Sequence, residues 1–418
     1  MKTSMCFSSL LLTAGMVFAE PLSAPPMVKN VECSQGKYTQ NVTVDYTLDN
    51  TVDPVFVTLD VFTNGVSIGR ENIKTLSGEI SKNTGVLVGQ GDRSFVWAAR
   101  KDMPGLLMTN VVFQVKAYPQ SRLYLIPDIY MVVDVSGGPD AESYPVRYTF
   151  DGSGARTEAA RTTEIWLRCI APCKFMMGSP ATEQNREASK EALHEVTLTQ
   201  PFLAGVYEVT SEQYYNVMGG TRPAQGKGGV AANSVSWNAI RGESSNWPTV
   251  KGVEDDSFMG RLRRKTGLDG FDLPTEAQWE CACRAGTVTA WNNGTTNVYM
   301  SAVEDRDEEL DKLAWYGKVK TESQICGLKL PNDWGLYDMH GNVLEWTLNY
   351  SKNDITDETV DPVGPVESTQ TDKTLRMARG GSWLHSGNGL RSAYRGYHYN
   401  PSVTYPNLGF RLFFTGKE

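Results

Sequence analysis

Between Val28 and Val135 apolar and polar residues alternate in short runs. Val42, Val44, Tyr46 and Leu48 form one series, and Val55, Val57, Leu59 and Val61 form another. A period of two turns one face of a strand inward and the other toward water. Asn64-Gly65 follows the second run and supplies the two positive-φ residues that a tight hairpin turn demands. Further strands are predicted at Ser94 to Ala98, Val111 to Tyr118 and Ile129 to Val135, with no helical pattern between them. The expectation is an all-β sandwich of immunoglobulin or fibronectin type over residues 27–138. It has no ionisable cluster of its own, which suits a spacer or docking role better than catalysis.

Turn-forming stretches, Ser136 to Asp140 and Asp151 to Gly154, mark a linker over residues 139–161. From residue 162 to 418 the pattern changes. Thr210-Ser211-Glu212-Gln213 ahead of Tyr214, Tyr215, Val217 and Met218 matches a capping box, and Thr275-Glu276-Ala277-Gln278 ahead of Trp279 repeats it. Other helix signals are few, and turns fill the intervals. Nine of the ten tryptophans lie here, all but Trp97, so aromatic burial has to supply most of the stability.

The formal charge of -8 offers a phosphate backbone no cationic face, which excludes nucleic acid as a partner. The local exception, Arg261, Arg263, Arg264 and Lys265, reads as a solvated helix face. Lys2, an apolar run from Phe7 to Phe18 and the small Ala19 form a signal peptide, residues 1–19, with cleavage before Glu20. That run is too short to span a bilayer and nothing later approaches the needed length, so the expected location is secreted or periplasmic. Cleavage leaves Cys33, Cys169, Cys173, Cys281, Cys283 and Cys326, an even number in an oxidising compartment, with the pairing open. Cys281 and Cys283 point to different sides of a helix, so they should not bond each other, and Cys326 could pair with either. The spacings C-x3-C and C-x-C are not those of a zinc site.

Nine short motifs then appear in order. They are Phe175 to Ser179, His194 to Val196, Glu208 to Thr210, Val235 to Trp237, Leu273 to Glu280, Gly335 to Met339, Gly341 to Trp346, Arg379 to Trp383 and Gly409 to Arg411. In this the chain resembles the sulfatase-modifying factor family, whose founding members are formylglycine-generating enzymes, over residues 163 to 415. The resemblance implies an α+β domain related to the C-type lectin fold, largely irregular, and one bound calcium. Carried over position by position, the calcium ligands are Asp338, the carbonyls of Gly341 and Val343, and Glu345. The chemistry agrees, because Ca²⁺ takes several oxygens and two carboxylates offset its charge, although an Asp-x-x-Gly turn with a solvated Glu has the same spacing. A second calcium site of the family has no counterpart around Trp315 to Glu322.

The family's oxidation uses two copper-binding cysteines after the Gly-Gly-Ser motif, since monovalent copper selects thiolates. Here His385 holds the first position and the region of the second holds Asn388 and its neighbours. Copper is therefore not expected. Iron is not expected either, because His194, His340, His385 and His398 lack the pattern that iron-dependent relatives use. No Gly-x-Ser-x-Gly elbow, phosphate loop or dinucleotide fingerprint is present.

The final segment offers Trp383, Asn388, Arg391, Tyr394, Arg395, Tyr397, Tyr399 and Tyr405, a mixture of rigid aromatics and adaptable polar groups common in binding surfaces. Lectin-like relatives display variable residues in this segment. Two readings of the tyrosines stay open, recognition and buttressing of the core, while Arg379, Phe410 and Arg411 read as scaffold. The leading expectation is an exported, calcium-stabilised module that binds a protein, peptide or glycan. The alternative is an oxidoreductase of the formylglycine-generating type working through Ser382 and His385.

Overall fold

The computed structural model describes residues 26–415 apart from 37–40, 52–53, 70–71, 82–86, 106–109, 120–122, 124–125, 127, 245, 250–251, 296–301, 354 and 357–358. The expected signal peptide lies outside the described residues. The chain divides into two compact units, one ending at Pro119 and the other starting at Gln120.

In the first unit β1 (Met27–Gln35), β2 (Val42–Asp49), β3 (Phe56–Thr63), β4 (Val66–Ser67), β5 (Leu76–Gly78), β6 (Gly91–Trp97) and β7 (Val111–Tyr118) build two antiparallel sheets, in the orders β1-β2-β6-β5 and β4-β3-β7. A four-residue helix α1 (Ala99–Asp102) follows β6. The alternation read from the sequence holds: Val44, Leu48, Val57, Leu59 and Val61 are fully buried and share one core with Phe95 and Trp97. At the predicted hairpin Asn64 and Gly65 have φ of 49° and 79°, closing Thr63 onto Val66. Asp102 ties the far edge, accepting hydrogen bonds from Trp97 Nε1 at 2.8 Å and from the Lys74 and Thr75 amides.

The sandwich is shorter than its expected span of 27–138. The strand predicted at Ile129 to Val135 forms as β8 (Tyr130–Asp134), but it pairs with β10 (Glu164–Ile170) in the second unit. Alternation marks a strand without saying which sheet takes it. Nor are residues 139–161 a bare linker, since β9 (Val146–Thr149) pairs with β8.

The second unit continues with β11 (Cys173–Met177), β12 (His194–Leu198), β13 (Phe202–Gly205), α2 (Ser211–Met218), α3 (Trp237–Arg241), α4 (Phe258–Thr266), β14 (Phe271–Asp272), α5 (Glu276–Arg284), α6 (Glu308–Leu313), β15 (Leu344–Tyr350), β16 (Arg376–Arg379), β17 (Tyr397–Tyr399), β18 (Leu408–Gly409) and β19 (Phe413–Phe414). A six-stranded sheet runs β14-β19-β13-β10-β8-β9, a four-stranded one β17-β16-β15-β18, and β11 pairs with β12. This is a mixed α+β domain in which long stretches are irregular. Both predicted capping boxes form: Thr210 and Gln213 cap α2 reciprocally, and Thr275 and Gln278 do the same for α5.

Loops packed inside a domain carry carbonyls that secondary structure does not satisfy. Among the described residues seven arginines are buried, Arg241, Arg284, Arg376, Arg379, Arg391, Arg395 and Arg411, and several donate to such carbonyls. Arg395, for example, binds the carbonyls of Lys190, Lys352 and Asn353 while its charge is met by Glu276 at 2.8 Å. A guanidinium suits this because its five N–H donors spread over several acceptors. The basic run on α4 is not a plain solvated face. Arg263 pairs with Asp272, Arg261 reaches the Met218 carbonyl and Lys265 the Pro139 carbonyl.

Cys173 is bonded to Cys281 and Cys283 is a free thiol, so Cys326 pairs with neither helix cysteine. Cys283 and Cys326 are buried thiols and Cys33 is an exposed one.

Candidate functional site

Two groups of side chains in the second unit carry chemistry. The first is a nest of buried carboxylates built by β15, the segment that precedes it and the segment that precedes α2. Glu345, on β15, takes three N–H donors: Oε1 accepts from Arg411 Nη2 at 2.7 Å, Oε2 from Trp279 Nε1 at 2.6 Å, and the Arg411 Nε–H is shared between the two oxygens at 3.0 and 3.1 Å. Glu208 accepts from the Val343 amide at 3.0 Å and from Asn342 Nδ2 at 2.6 Å. Asp338 accepts from the Gly327 amide through Oδ2 at 2.6 Å, while Oδ1 is buried without a donor. The Cys326 thiol lies 3.4 Å from Glu208 Oε2. None of Glu208, Cys326, Asp338 and Glu345 is more than 2% exposed.

The turn that builds this nest needs its glycine. Asp338 and Asn342 have φ of 56° and Gly341 has φ of 86°, and a Cβ on Gly341 would lie 2.3 Å from the Trp315 carbonyl oxygen. The charges do not balance. Counted as ionised, Glu208, Asp338 and Glu345 sum to −3 and Arg411 returns +1, a formal −2 in a buried volume. Desolvation, with help from neighbouring carboxylates, pushes the Asp338 carboxyl up to about 6 and that of Glu208 well above the usual range. A divalent cation would restore neutrality, and Glu208, Cys326 and Asp338 each place a ligand atom within 4.8 Å of the others. Of the residues expected to hold calcium, Asp338 has an oxygen without a donor, whereas both oxygens of Glu345 are already engaged by Arg411 and Trp279.

The second group is the final segment. Ser382 is buried and its oxygen accepts from the Leu384 amide and Asn407 Nδ2, at 3.3 and 3.0 Å. Both lone pairs are then filled, so its O–H must donate to His385 Nδ1, 2.8 Å away. That fixes the imidazole as the neutral form with its proton on Nε2. Burial acts the same way, bringing the His385 pKa down to about 4. The ring packs on Tyr397 at 4.3 Å between centroids, Tyr397 on Tyr394 at 4.9 Å, and Tyr399 on Tyr405 at 5.3 Å. Tyr397 and Tyr399 sit on edge strand β17. Trp383, Tyr394, Tyr397 and Tyr399 are half-buried and Tyr405 is exposed. Trp383 Nε1 is buried with no acceptor.

Three of the expected ligand contacts are engaged by partners inside the domain. Arg391 is fully buried between Glu191 and Glu183, at 2.6 and 2.8 Å, and Arg395 is sequestered by Glu276. Asn388 Oδ1 is taken by Arg391 Nε at 3.0 Å. The pairing partners lie about 200 positions away in sequence for Arg391, where composition gives no hint of them. Glu208 and Cys326 were missed as members of the carboxylate nest, and their sequence neighbourhood carries no ligand spacing that would have flagged them. A surface cavity of about 450 Å³, lined by residues that include Trp247, Arg263, Asp272 and Val363, contains none of the candidate residues.

Residues 154–415 match the family model described as the sulfatase-modifying factor enzyme 1-like domain. The chain belongs to the sulfatase-modifying factor family. Chaperone protein LppX of Paenibacillus barcinonensis is 26% identical over 255 residues, covering 52% of this chain and 81% of that protein. Inactive C-alpha-formylglycine-generating enzyme 2 of Bos taurus is 30% identical over 34% of this chain and 43% of its own length. The formylglycine-generating enzyme of Streptomyces coelicolor is 30% identical over 44% of this chain and 62% of its own. The chain thus spans less than two thirds of the latter two. Among solved structures, Treponema denticola variable protein 1 aligns over 60% of this chain and 95% of its own, at 26% identity and a TM-score of 0.48. In this family member the segment from Gly380 to Arg411 contains no cysteine. Among the described residues no helix is long and apolar enough to cross a membrane.

Proposed function

We propose that this sulfatase-modifying-factor-family protein is an exported binding module that has lost the copper-dependent oxidation of cysteine to formylglycine. The observation that carries this reading is the state of the Ser382–His385 pair. The position of the first reactive thiol is filled by a neutral imidazole, held by a serine whose own proton is committed to it. Such a pair cannot bind monovalent copper as thiolates do. Ser382 is also no nucleophile, being wholly buried with both lone pairs engaged. The oxidoreductase alternative through these two residues therefore lacks a reactive group.

The surface left for recognition is His385 with Tyr394, Tyr397, Tyr399, Tyr405 and Trp383. It fits a protein, peptide or glycan, to whose apolar faces rigid rings offer area at small entropic cost. That one relative is named as an inactive formylglycine-generating enzyme and another as a chaperone is in keeping with a family that also holds binding proteins. The carboxylate nest holds one calcium ion, with Asp338 and Glu208 and the carbonyls of Gly341 and Val343 as its oxygen donors, which offsets the formal −2 and stiffens the turn that carries Gly341. The signal-like residues 1–19 direct the protein to the periplasm or the exterior.

The test has two arms. Incubation with copper, oxygen and a Cys-x-Pro-x-Arg peptide should leave the peptide mass unchanged, and a thiol-to-aldehyde mass loss at any turnover refutes the loss of oxidation. A peptide and glycan array should return ligands whose binding falls at least tenfold in Tyr397→Ala and Tyr399→Ala; unchanged binding removes the tyrosine surface.

A further inference from the structure

The carboxylate nest holds a thiol that calcium does not use. Cys326 is fully buried, its sulfur 3.4 Å from Glu208 Oε2 and within 4.8 Å of a carboxylate oxygen of Asp338. A hard ion leaves sulfur alone, whereas a borderline ion such as Zn²⁺ takes sulfur and carboxylate oxygen together. With Zn–S near 2.3 Å and Zn–O near 2.1 Å, a tetrahedral site has a sulfur-to-oxygen edge of about 3.6 Å. The Cys326–Glu208 spacing, at which the thiol donates to the carboxylate, is close to that edge, and the spacings to Asp338 are within 4.8 Å. The second, independent observation is Asp338 Oδ1, wholly buried and without a donor, in a residue only 2% exposed.

We propose that Glu208, Cys326 and Asp338 form a binding site for a thiophilic divalent cation of the zinc class. Binding exchanges the S–H bond of Cys326 for a sulfur–metal bond, and the proton leaves to solvent, with no change of oxidation state. The thiolate adds a third negative ligand to the two carboxylates. The same pocket then accepts either a hard ion on its oxygens or a soft ion on oxygen and sulfur, and the identity of the ion follows its supply. Because all three ligands are buried, the ion enters during folding or by local opening, as in sites that stabilise folds rather than sites that turn over substrate.

The inference rests on the same pocket as the proposed calcium site but stands or falls separately. The full chain carrying Cys33→Ser, which removes the thiol that is exposed among the described residues, is refolded with Cd²⁺ as the probe. One equivalent should give an ultraviolet sulfur-to-metal charge-transfer band, and Cys326→Ser should lose it while keeping any rise in melting temperature caused by Ca²⁺. A band that survives Cys326→Ser, or no band at all, overturns the thiolate site whatever calcium does. Conversely, a Cys326-dependent band in a protein whose melting temperature ignores Ca²⁺ and chelators upholds this site and refutes the calcium reading alone. Should Cys326→Ser not fold, zinc-edge X-ray absorption on the Zn²⁺-loaded Cys33→Ser protein decides. A shell with one sulfur near 2.3 Å is expected, and a shell of light atoms only overturns the proposal.

Discussion

Acidification should destabilise the C-terminal domain through His385 before any carboxylate of the surface matters. The imidazole is neutral in the fold because burial holds its pKa down to about 4, against 6.5 when exposed. Ser382 reinforces this, since its O–H donates to Nδ1 and its lone pairs are already filled, so protonated Nδ1 would face a hydrogen with nothing to accept it. A folded pKa below the unfolded one means that the unfolded chain binds more protons between pH 4 and 6.5. Stability from this group is therefore complete above about pH 7.5 and lost as pH falls through that window. At pH 5 the unfolded imidazole is mostly charged and the folded one mostly neutral, which costs about 2 kcal/mol relative to pH 7.5. The assay is urea unfolding of the wild-type protein and His385→Gln at both pH values, following the transition of the tryptophan-rich domain. The wild type should lose about 2 kcal/mol more than the variant between the two, a comparison that cancels the parallel contribution of buried His340. Equal losses, or an imidazole resonance of His385 that titrates near its ordinary value, would refute the tautomer and the burial argument together.

Gly389→Ala should loosen the same pair from the other side. A Cβ there would lie 2.0 Å from the Tyr397 hydroxyl, so the ring has to shift in its stack on His385. The expected loss is about 1 to 3 kcal/mol, with the His385 titration moving up toward 6.5, and an unchanged titration would contradict the contact. Glu276→Gln should cost about 3 to 5 kcal/mol in thermal unfolding, because it strands the buried Arg395 guanidinium that now sits bidentate on the carboxylate at 2.9 and 2.8 Å. A loss below 1 kcal/mol would mean that the pair is solvated.

Features set by a few neighbouring residues were legible in the sequence. The Asn64-Gly65 hairpin and the capping boxes at Thr210 and Thr275 each involve groups no more than three positions apart, and each forms as written. Features set by partners far along the chain were not. Val132 and Val133 read as strand residues of the sandwich, yet their partners are Trp166 and Ile165. Arg391 reads as a surface group beside tyrosines until Glu183 and Glu191 fold over it. Cys326 reads as one half of a disulfide, and it stands instead against a glutamate from the segment before α2. In each case composition named the residue type and only the topology supplied its environment.

The buried arginines give the final segment its particular freedom. Arg379 binds the carbonyls of Ser392 and Tyr394, Arg391 that of Asn185, and Arg395 those of Lys190, Lys352 and Asn353, so the path of the chain from Arg379 to Arg395 is fixed by side chains anchored in the core. Each guanidinium also meets a buried glutamate, so none is left as an uncompensated charge. The residues between and beyond these anchors, His385, Tyr394, Tyr397, Tyr399 and Tyr405, carry little of that structural duty and remain half-buried or exposed. Substitutions among them change what the surface presents without removing what holds the loops, whereas substitution of an anchor strands a charge and several carbonyls at once. A fold that separates holding from presenting in this way tolerates substitution at His385 and the exposed rings while the anchored backbone that displays them stays in place.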